Sequence, residues 1–237
     1  MYLYRHFYLN YISLLRVSEK LKKLRRYLVS IGILGNKIGM TQIFDTKGEI
    51  IPVTIIKSGP CYVTQIKSNE NCGYNAIQLG YSEVAPNLKS LTKPRLGHFT
   101  KVNLPPYRYL KEYKLEESTN YTIGQEFTVD IFKIGQTVNV TGFTIGKGTA
   151  SNIKQHHFSR GPMTHGGKSK RLQGSMGSGT TPGRVYPGKK MPGHFGMEKR
   201  TIKGLEIIDI DKTQNIIVIK GSIPGKSGNL VSLNSGK

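Results

Sequence analysis

The sequence predicts a mainly β fold that is interrupted by one long irregular segment. Short runs rich in β-branched residues follow one another between turns, as at 49–57, 137–144 and 216–220. Such runs are typical of strands, and no long amphipathic helix separates them. Between residues 144 and 203 the apolar pattern disappears. Serial short strands favour antiparallel pairing, and closure into a barrel would hide their edges.

Residues 1–30 form a basic segment with helical spacing. Seven lysines and arginines stand against Glu19 alone, and leucines recur at positions 14, 21, 24 and 28. This pattern predicts a basic amphipathic helix, which we expect the protein to retain. It suits an extension that faces RNA or protein, and an organelle-targeting or membrane-surface helix is the alternative.

Strand signals begin after residue 31. Runs at 40–44 and 49–57 flank a polar turn and predict a hairpin, and two further runs at 62–67 and 75–81 predict more strands. Residues 82–120 are interrupted by four prolines, which predict an inserted subdomain of loops with one short helix.

The remaining strand signals lie on both sides of the irregular segment. They occur at 126–130 and 137–144, and they resume at 205–210 and 216–220 around a turn. We therefore predict a β domain made of residues 31–143 and 204–237, from which residues 144–203 extend.

Charge is the strongest constraint on function. The chain has 35 lysines and arginines against 14 acidic residues, for a net charge of +21. Such a chain repels itself unless a polyanion supplies counter-charge, and nucleic acid is the first candidate. No apolar run reaches the ~20 residues that cross a bilayer, so we expect no membrane partner.

The segment 144–203 carries the functional prediction. It holds 12 lysines and arginines, 12 glycines, 4 histidines and a single acid, Glu198. Spread cations let an extended chain meet successive phosphates, and glycine lets the backbone approach RNA closely. The candidate RNA-binding residues are Lys147, Lys154, His156, His157, Arg160, His165, Lys168, Lys170, Arg171, Arg184, Lys189, Lys190, His194, Lys199, Arg200 and Lys203.

Aromatic rings interleave with these cations. Phe158, Tyr186 and Phe195, together with the histidines, can stack on unpaired bases. A solvated flexible linker is the alternative, but such linkers are typically low in both aromatics and cations. An irregular segment suits folded RNA better than the regular groove of DNA, so RNA is the predicted ligand.

Enzyme chemistry has little support. Lys168 follows two glycines, but Pro162 stands where a phosphate-binding loop needs its first glycine. The best acidic cluster for a metal-dependent nuclease is Glu206, Asp209 and Asp211, which solvent-facing charges near a strand end explain more simply. The histidines have no neighbouring carboxylates or thiols, so we expect no metal, cofactor or catalytic residue. A nucleic-acid-processing enzyme on a β scaffold is the competing hypothesis.

Several ordered motifs resemble one known family, the universal large-subunit ribosomal protein three family in its bacterial and organellar type. The similarity extends from about residue 32 to 231. The motifs are GNKIGMTQIF at 35–44, TKP at 92–94 with GHF at 97–99, GKG at 146–148, GSMG at 174–177, TPGRV at 181–185, GKKM at 188–191 with Gly193, and KGSIPG at 220–225.

The resemblance implies an antiparallel six-stranded barrel of the translation-protein type, with an irregular insertion and a long extended loop arm. It also implies a structural constituent of the large ribosomal subunit that binds large-subunit ribosomal RNA, supports early assembly and buttresses the peptidyl-transferase region. Ribosomal proteins fourteen and nineteen are the implied neighbours, and no homo-oligomer is expected. The arm's tip corresponds to about residues 173–184, which adds Gly174, Ser175, Thr181 and Pro182 to the candidate RNA-binding residues.

Two features depart from the bacterial pattern of that family. Thr180 stands where bacterial members have a glutamine that can be methylated, so this modification is not expected, and residues 1–30 have no counterpart. The chain has only three alanines but many lysines, isoleucines and asparagines, which indicates an AT-rich gene. We therefore expect a plastid ribosome, with a mitochondrial or an AT-rich bacterial ribosome as alternatives.

Overall fold

The computed structural model describes residues 32–85, 91–115 and 121–235, and its fold is mainly β with antiparallel sheets, as predicted. The helix predicted for residues 1–30 lies outside these ranges. The elements are β1 (Gly32–Phe44), β2 (Ile50–Ser58), β3 (Cys61–Lys67), α1 (Asn69–Cys72), β4 (Ala76–Glu83), α2 (Lys93–Thr100), β5 (Tyr107–Lys114), β6 (Glu126–Phe127), a 3-10 turn (Val129–Ile131), β7 (Thr137–Phe143), β8 (Thr149–Ala150), α3 (Asn152–His156), β9 (Gly193–His194), β10 (Lys199–Asp211), β11 (Ile216–Lys220) and β12 (Leu230–Ser235). Among the described helices, none is long and apolar enough to cross a membrane.

Six strands pair in a closed order, β1-β12-β7-β10-β11-β2, with β2 paired back to β1. All six pairings are antiparallel. Strands β1 and β10 are the longest. The register of β1 against β2 shifts between Lys37 and Gly39, and β10 has one register shift against β7 and another against β11. Because every strand of this closed sheet has two neighbours over part of its length, backbone groups that an open sheet would leave at its edge are paired.

A second sheet lies beside the closed sheet, with strand order β5-β4-β3-β6. Strand β4 is central, and its partner β5 buries Tyr107 and Tyr113 on one face. Tyr107 stacks on Tyr62 at 5.5 Å between ring centroids and meets Phe99 of α2 edge-on at 5.9 Å. Helix α2 is thus held against the second sheet by a cluster of aromatic rings.

The two sheets share one hydrophobic core. Ile33 and Leu34 of the closed sheet belong to the same buried cluster as Val63 and Leu79 of the second sheet. Hydrogen bonds also cross between the sheets. The Tyr113 hydroxyl lies 2.7 Å from Ser232 Oγ, and the Tyr81 hydroxyl donates to the carbonyl of Lys57 at 3.1 Å.

Several predicted boundaries differ from the structure. Within 82–120 the predicted short helix is present as α2, but Tyr107–Lys114 is strand β5 and not a loop. Alternate tyrosines supply its buried face, a signal that the neighbouring prolines and lysines obscure. The run at 126–130 contains only two strand residues before the 3-10 turn. Strand β12 has no counterpart among the predicted runs, because its serine and asparagine residues weaken the apolar pattern.

Candidate nucleic-acid interface

The segment 144–203 leaves the closed sheet between two neighbouring strands. Strand β7 ends at Phe143, which pairs with Lys199 at the start of β10. The pairing continues outward through Thr144 N to Glu198 O at 2.9 Å and Lys147 N to Phe195 O at 2.9 Å, and then through β8 and β9. Residues 144–156 and 190–198 therefore form a common stem that continues the β7–β10 hairpin.

Side chains of α3 close the far end of this stem. Asn152 is buried, and its Nδ2 donates to the carbonyl of Lys190 at 3.1 Å. His156 of the same helix makes a similar contact, with its Nε2 atom 3.3 Å from the carbonyl oxygen of Met191. These contacts hold both ends of residues 157–189 together, so that this distal loop is anchored at both ends.

Close approach of the two stem chains requires glycine at position 196. Gly196 is buried and has a φ of +76°, and a Cβ there would overlap the carbonyl oxygen of Ile145. Both the left-handed conformation and the missing side chain are properties of glycine.

The distal loop contains no helix or strand. A few internal backbone bonds shape it, such as Gly161 N to Lys170 O at 3.1 Å and Gly183 N to Gly179 O at 3.1 Å. Its side chains are mostly exposed, including the apolar Met163, Leu172 and Tyr186. A segment with so little buried apolar surface has no core of its own, which fits its prediction as a non-globular segment.

All 12 lysines and arginines of the segment 144–203 are exposed. Within the described ranges, Arg200 alone among them has a carboxylate partner, Glu198 at 2.8 Å. Lys147 lies over the Phe195 ring at 4.6 Å from its centroid. Carboxylates of the described residues therefore leave the positive charge of the segment almost uncompensated, which creates a strong local field for anions.

The predicted RNA-binding residues occupy three parts of the structure. The stem holds Lys147, Lys154, His156, Lys190 and His194, and the distal loop holds His157, Arg160, His165, Lys168, Lys170, Arg171, Gly174, Ser175, Thr181, Pro182, Arg184 and Lys189. Lys199, Arg200 and Lys203 belong instead to strand β10, which starts six residues earlier than the run predicted at 205–210. The sequence did not predict this part of β10, because these exposed cationic side chains interrupt the apolar pattern that is typical of a strand. The pairing with β7 forms the strand nevertheless.

Phe158 and Phe195, which we expect to stack on bases, are half-buried and lie next to His156 and Lys147, respectively. One residue of this interface was missed by the sequence analysis. Lys37 is only 7% exposed and reaches the base of the stem from β1, although it lies 107 positions before the segment begins. Nothing local in the sequence distinguishes it from other lysines.

Two of the three acidic residues that a nuclease would use have side-chain partners within the described structure. Asp211 accepts hydrogen bonds from the Thr213 hydroxyl and from the backbone N–H groups of Gln214 and Thr213, and these bonds lower the pKa of its carboxyl group. Glu206 lies 3.7 Å from the ammonium of Lys220. In the part of the chain that the structure describes, no group of three metal-ligating side chains occurs.

Comparisons with known proteins identify the family of this chain. Residues 112–216 match the model of the family described as Ribosomal protein L3. The chain is 54% identical over 206 residues to Large ribosomal subunit protein uL3 of Picosynechococcus sp.. The aligned region covers 86% of this chain and 96% of that protein.

Two algal relatives are equally similar. Large ribosomal subunit protein uL3c of Phaeodactylum tricornutum is 56% identical over 203 residues, covering 86% of this chain and 97% of that protein. The protein of the same name from Guillardia theta is 53% identical over 205 residues, covering 86% and 100%. The chain therefore belongs to the ribosomal protein L3 family, and it is a structural component of the large ribosomal subunit and not an enzyme.

Proposed function

We propose that this protein binds large-subunit ribosomal RNA through the segment 144–203, with the stem as a rigid base and the distal loop threaded into folded RNA. The supporting observation is the set of 12 exposed cations, of which Arg200 alone is paired with a carboxylate in the described structure. Successive phosphates supply the missing counter-charge. Anchoring at both ends limits the conformational freedom that is lost when the loop becomes ordered on RNA.

The same proposal extends to the position of the protein in the subunit. The six-stranded closed sheet is a barrel of the translation-protein type that lies on the subunit surface, and the segment 144–203 is its extended arm. The arm's tip, with Gly174, Ser175, Thr181 and Pro182, buttresses the RNA around the peptidyl-transferase centre. The protein joins the subunit early in assembly and contacts ribosomal proteins fourteen and nineteen.

A plastid ribosome is the proposed location. The algal relatives named uL3c support it, and so does the amino-acid composition, whose few alanines and many lysines, isoleucines and asparagines indicate an AT-rich gene. A mitochondrial or bacterial ribosome would place the same fold and charges on a similar RNA.

The experiment that tests RNA binding is a filter-binding titration of the full chain with a large-subunit ribosomal RNA fragment, over a range of salt concentrations. The logarithm of affinity falls with the logarithm of salt by about 0.7–0.9 per phosphate contact. Replacing four distal-loop cations with glutamine should reduce this slope by about three units. The four are Lys168, Lys170, Arg171 and Arg184.

A matched control replaces four exposed lysines outside the segment that have no ion pair in the described structure: Lys47, Lys93, Lys101 and Lys133. This variant has the same net charge as the first. Equal slopes for the two variants would mean that RNA binding follows net charge and not the segment 144–203, and would contradict the proposal.

A further inference from the structure

An open cleft of about 400 Å³ lies at the base of the stem, where the closed sheet meets the segment 144–203. Lys37, Ile223 and Gly225 line it from the closed sheet and the loop before β12. Lys147, Phe195 and Arg200 line it from the stem and β10. Its volume lies within the ~300–1,000 Å³ of typical small-ligand sites.

Lys37 contributes a buried ammonium group to this cleft. The Lys37 ammonium donates to the carbonyl oxygens of Ile223 at 3.1 Å and Gly225 at 3.0 Å. A lysine ammonium has three N–H donors, so these two bonds leave one for a further acceptor. Within the described ranges no carboxylate lies within ion-pairing distance of Lys37, although a buried charge normally requires a counter-charge. Burial accordingly lowers the pKa of Lys37.

Two further cations and one carboxylate complete the electrostatics of the cleft. Lys147 and Arg200 both line it, and Glu198 is neutralised by Arg200 at 2.8 Å. Three cations against one carboxylate leave a net charge of about +2 over a wall that contains the Phe195 ring. This combination of positive charge and an apolar surface matches a nucleotide, which has a phosphate and a flat, apolar base face.

We propose that this cleft holds one nucleotide of the bound RNA, with its phosphate next to Lys37, Lys147 and Arg200. The inference rests on the proposed RNA-binding function and adds a defined site to it. A nucleotide held here fixes the RNA at the point where the segment leaves the closed sheet. The direction of the stem relative to the RNA is then set at its base as well as along the distal loop.

Two ion pairs allow a matched test of this site. Glu198–Arg200 lines the cleft, and Asp130–Lys212 is an exposed pair of the same 2.8 Å length beyond the other end of β10. We expect Arg200→Gln to weaken RNA binding by about sixfold at 0.1 M salt, as the loss of one phosphate contact predicts. Glu198→Gln should strengthen binding, because it removes the carboxylate from the cleft. Lys212→Gln should change RNA binding less than Arg200→Gln, and Asp130→Asn should change it less than Glu198→Gln.

A footprint identifies the ligand. Acetylation of Lys147, followed by mass spectrometry, should be slowed by the RNA fragment, whereas inorganic phosphate at the same ionic strength should leave it unchanged. Equal protection by inorganic phosphate would show a general anion site and overturn the assignment to a nucleotide. These exposed side chains can be changed without removing buried Lys37, so the test does not depend on a variant that unfolds.

The outcomes separate this inference from the proposed function. If the wild-type chain binds RNA with a steep salt dependence but the two ion pairs behave alike, the cleft is not a nucleotide site and the RNA-binding function stands. If the wild-type chain shows no salt-dependent RNA binding, both proposals fail.

Discussion

Lys111 shows how a single residue can be perturbed by the fold. It lies on β5 in an apolar cleft lined by Leu110, Phe143 and Leu230, and Lys199 lies near it. Burial and, to a smaller extent, the Lys199 charge lower the pKa of Lys111 to about 8. We expect the rate of acetylation at Lys111 to rise with pH around a midpoint near 8, and Lys199→Gln to move this midpoint upward. A midpoint near 10 for Lys111 in the wild-type chain would contradict this assignment.

The same shift makes stability depend on pH. Between pH 8 and the unfolded value of about 10.4, the unfolded chain binds a proton at Lys111 that the folded chain does not bind. The contribution of Lys111 to the free energy of unfolding therefore increases as the pH rises through this window. Lys111→Met should stabilise the protein at pH 7, and its advantage should shrink as the pH approaches 10. Urea unfolding at both pH values measures the difference.

Gly35 tests the packing of the closed sheet. A Cβ at this position would lie 2.5 Å from Ser58 Oγ and 2.7 Å from the Lys57 carbonyl oxygen, whereas one at Gly39 of the same strand would meet nothing within 4 Å. We expect Gly35→Ala to cost about 1–3 kcal/mol of stability through overpacking. Gly39→Ala is the control and should change the urea midpoint far less. Similar losses for both would mean that β1 is destabilised by alanine itself and not by a steric conflict.

At the scale of elements, sequence patterns predicted strands well where β-branched residues dominate. The run at 216–220 coincides with β11, and that at 137–144 with β7 to within one residue. The sequence did not predict strands that are determined by long-range pairing and burial and not by local composition. Gly32 to Lys37 begins β1 although glycine and asparagine weaken the pattern, because β12 and β2 pair with it on both sides.

In the segment 144–203, too, the sequence predicted the features that depend on composition and missed those that depend on long-range contacts. Its cations and glycines could be recognised from composition alone, because exposed charge needs no tertiary context. The stem could not be predicted, since it depends on Thr144 and Lys147 meeting Glu198 and Phe195 about fifty positions later. Lys37 was missed for the same reason, as only the fold brings it to the base of the stem.

Asn152 is the element-scale test of the stem. Its side chain is buried, and its hydrogen bond to the Lys190 carbonyl joins the two ends of the distal loop. We expect Asn152→Ala to weaken this closure by about 1 kcal/mol, as loss of a buried hydrogen bond predicts. Amide hydrogens of the stem, such as that of Phe195, should then exchange faster, while those of β11 stay unchanged. Faster exchange in both regions would indicate a global loss of stability.

For the whole molecule, the continuous core predicts that the two sheets unfold together. Ile33 and Leu34 of β1 belong to one buried hydrophobic cluster with residues of β3 and β4. Tyr113 adds a buried hydroxyl contact with Ser232 across the junction, at 2.7 Å. Such coupling favours a single cooperative transition.

Tyr113→Phe tests that coupling, because it removes the hydroxyl and keeps the ring. We expect a loss of about 1 kcal/mol, since Ser232 keeps a second, longer contact with Asn234 at 3.3 Å. Tyr109→Phe on the same strand is the control, because its hydroxyl has no hydrogen-bond partner among the described residues. In both variants, far-ultraviolet circular dichroism and tyrosine fluorescence should report one shared urea midpoint. Two separated midpoints, or equal losses in the two variants, would show that the sheets are stabilised independently of the Tyr113–Ser232 contact.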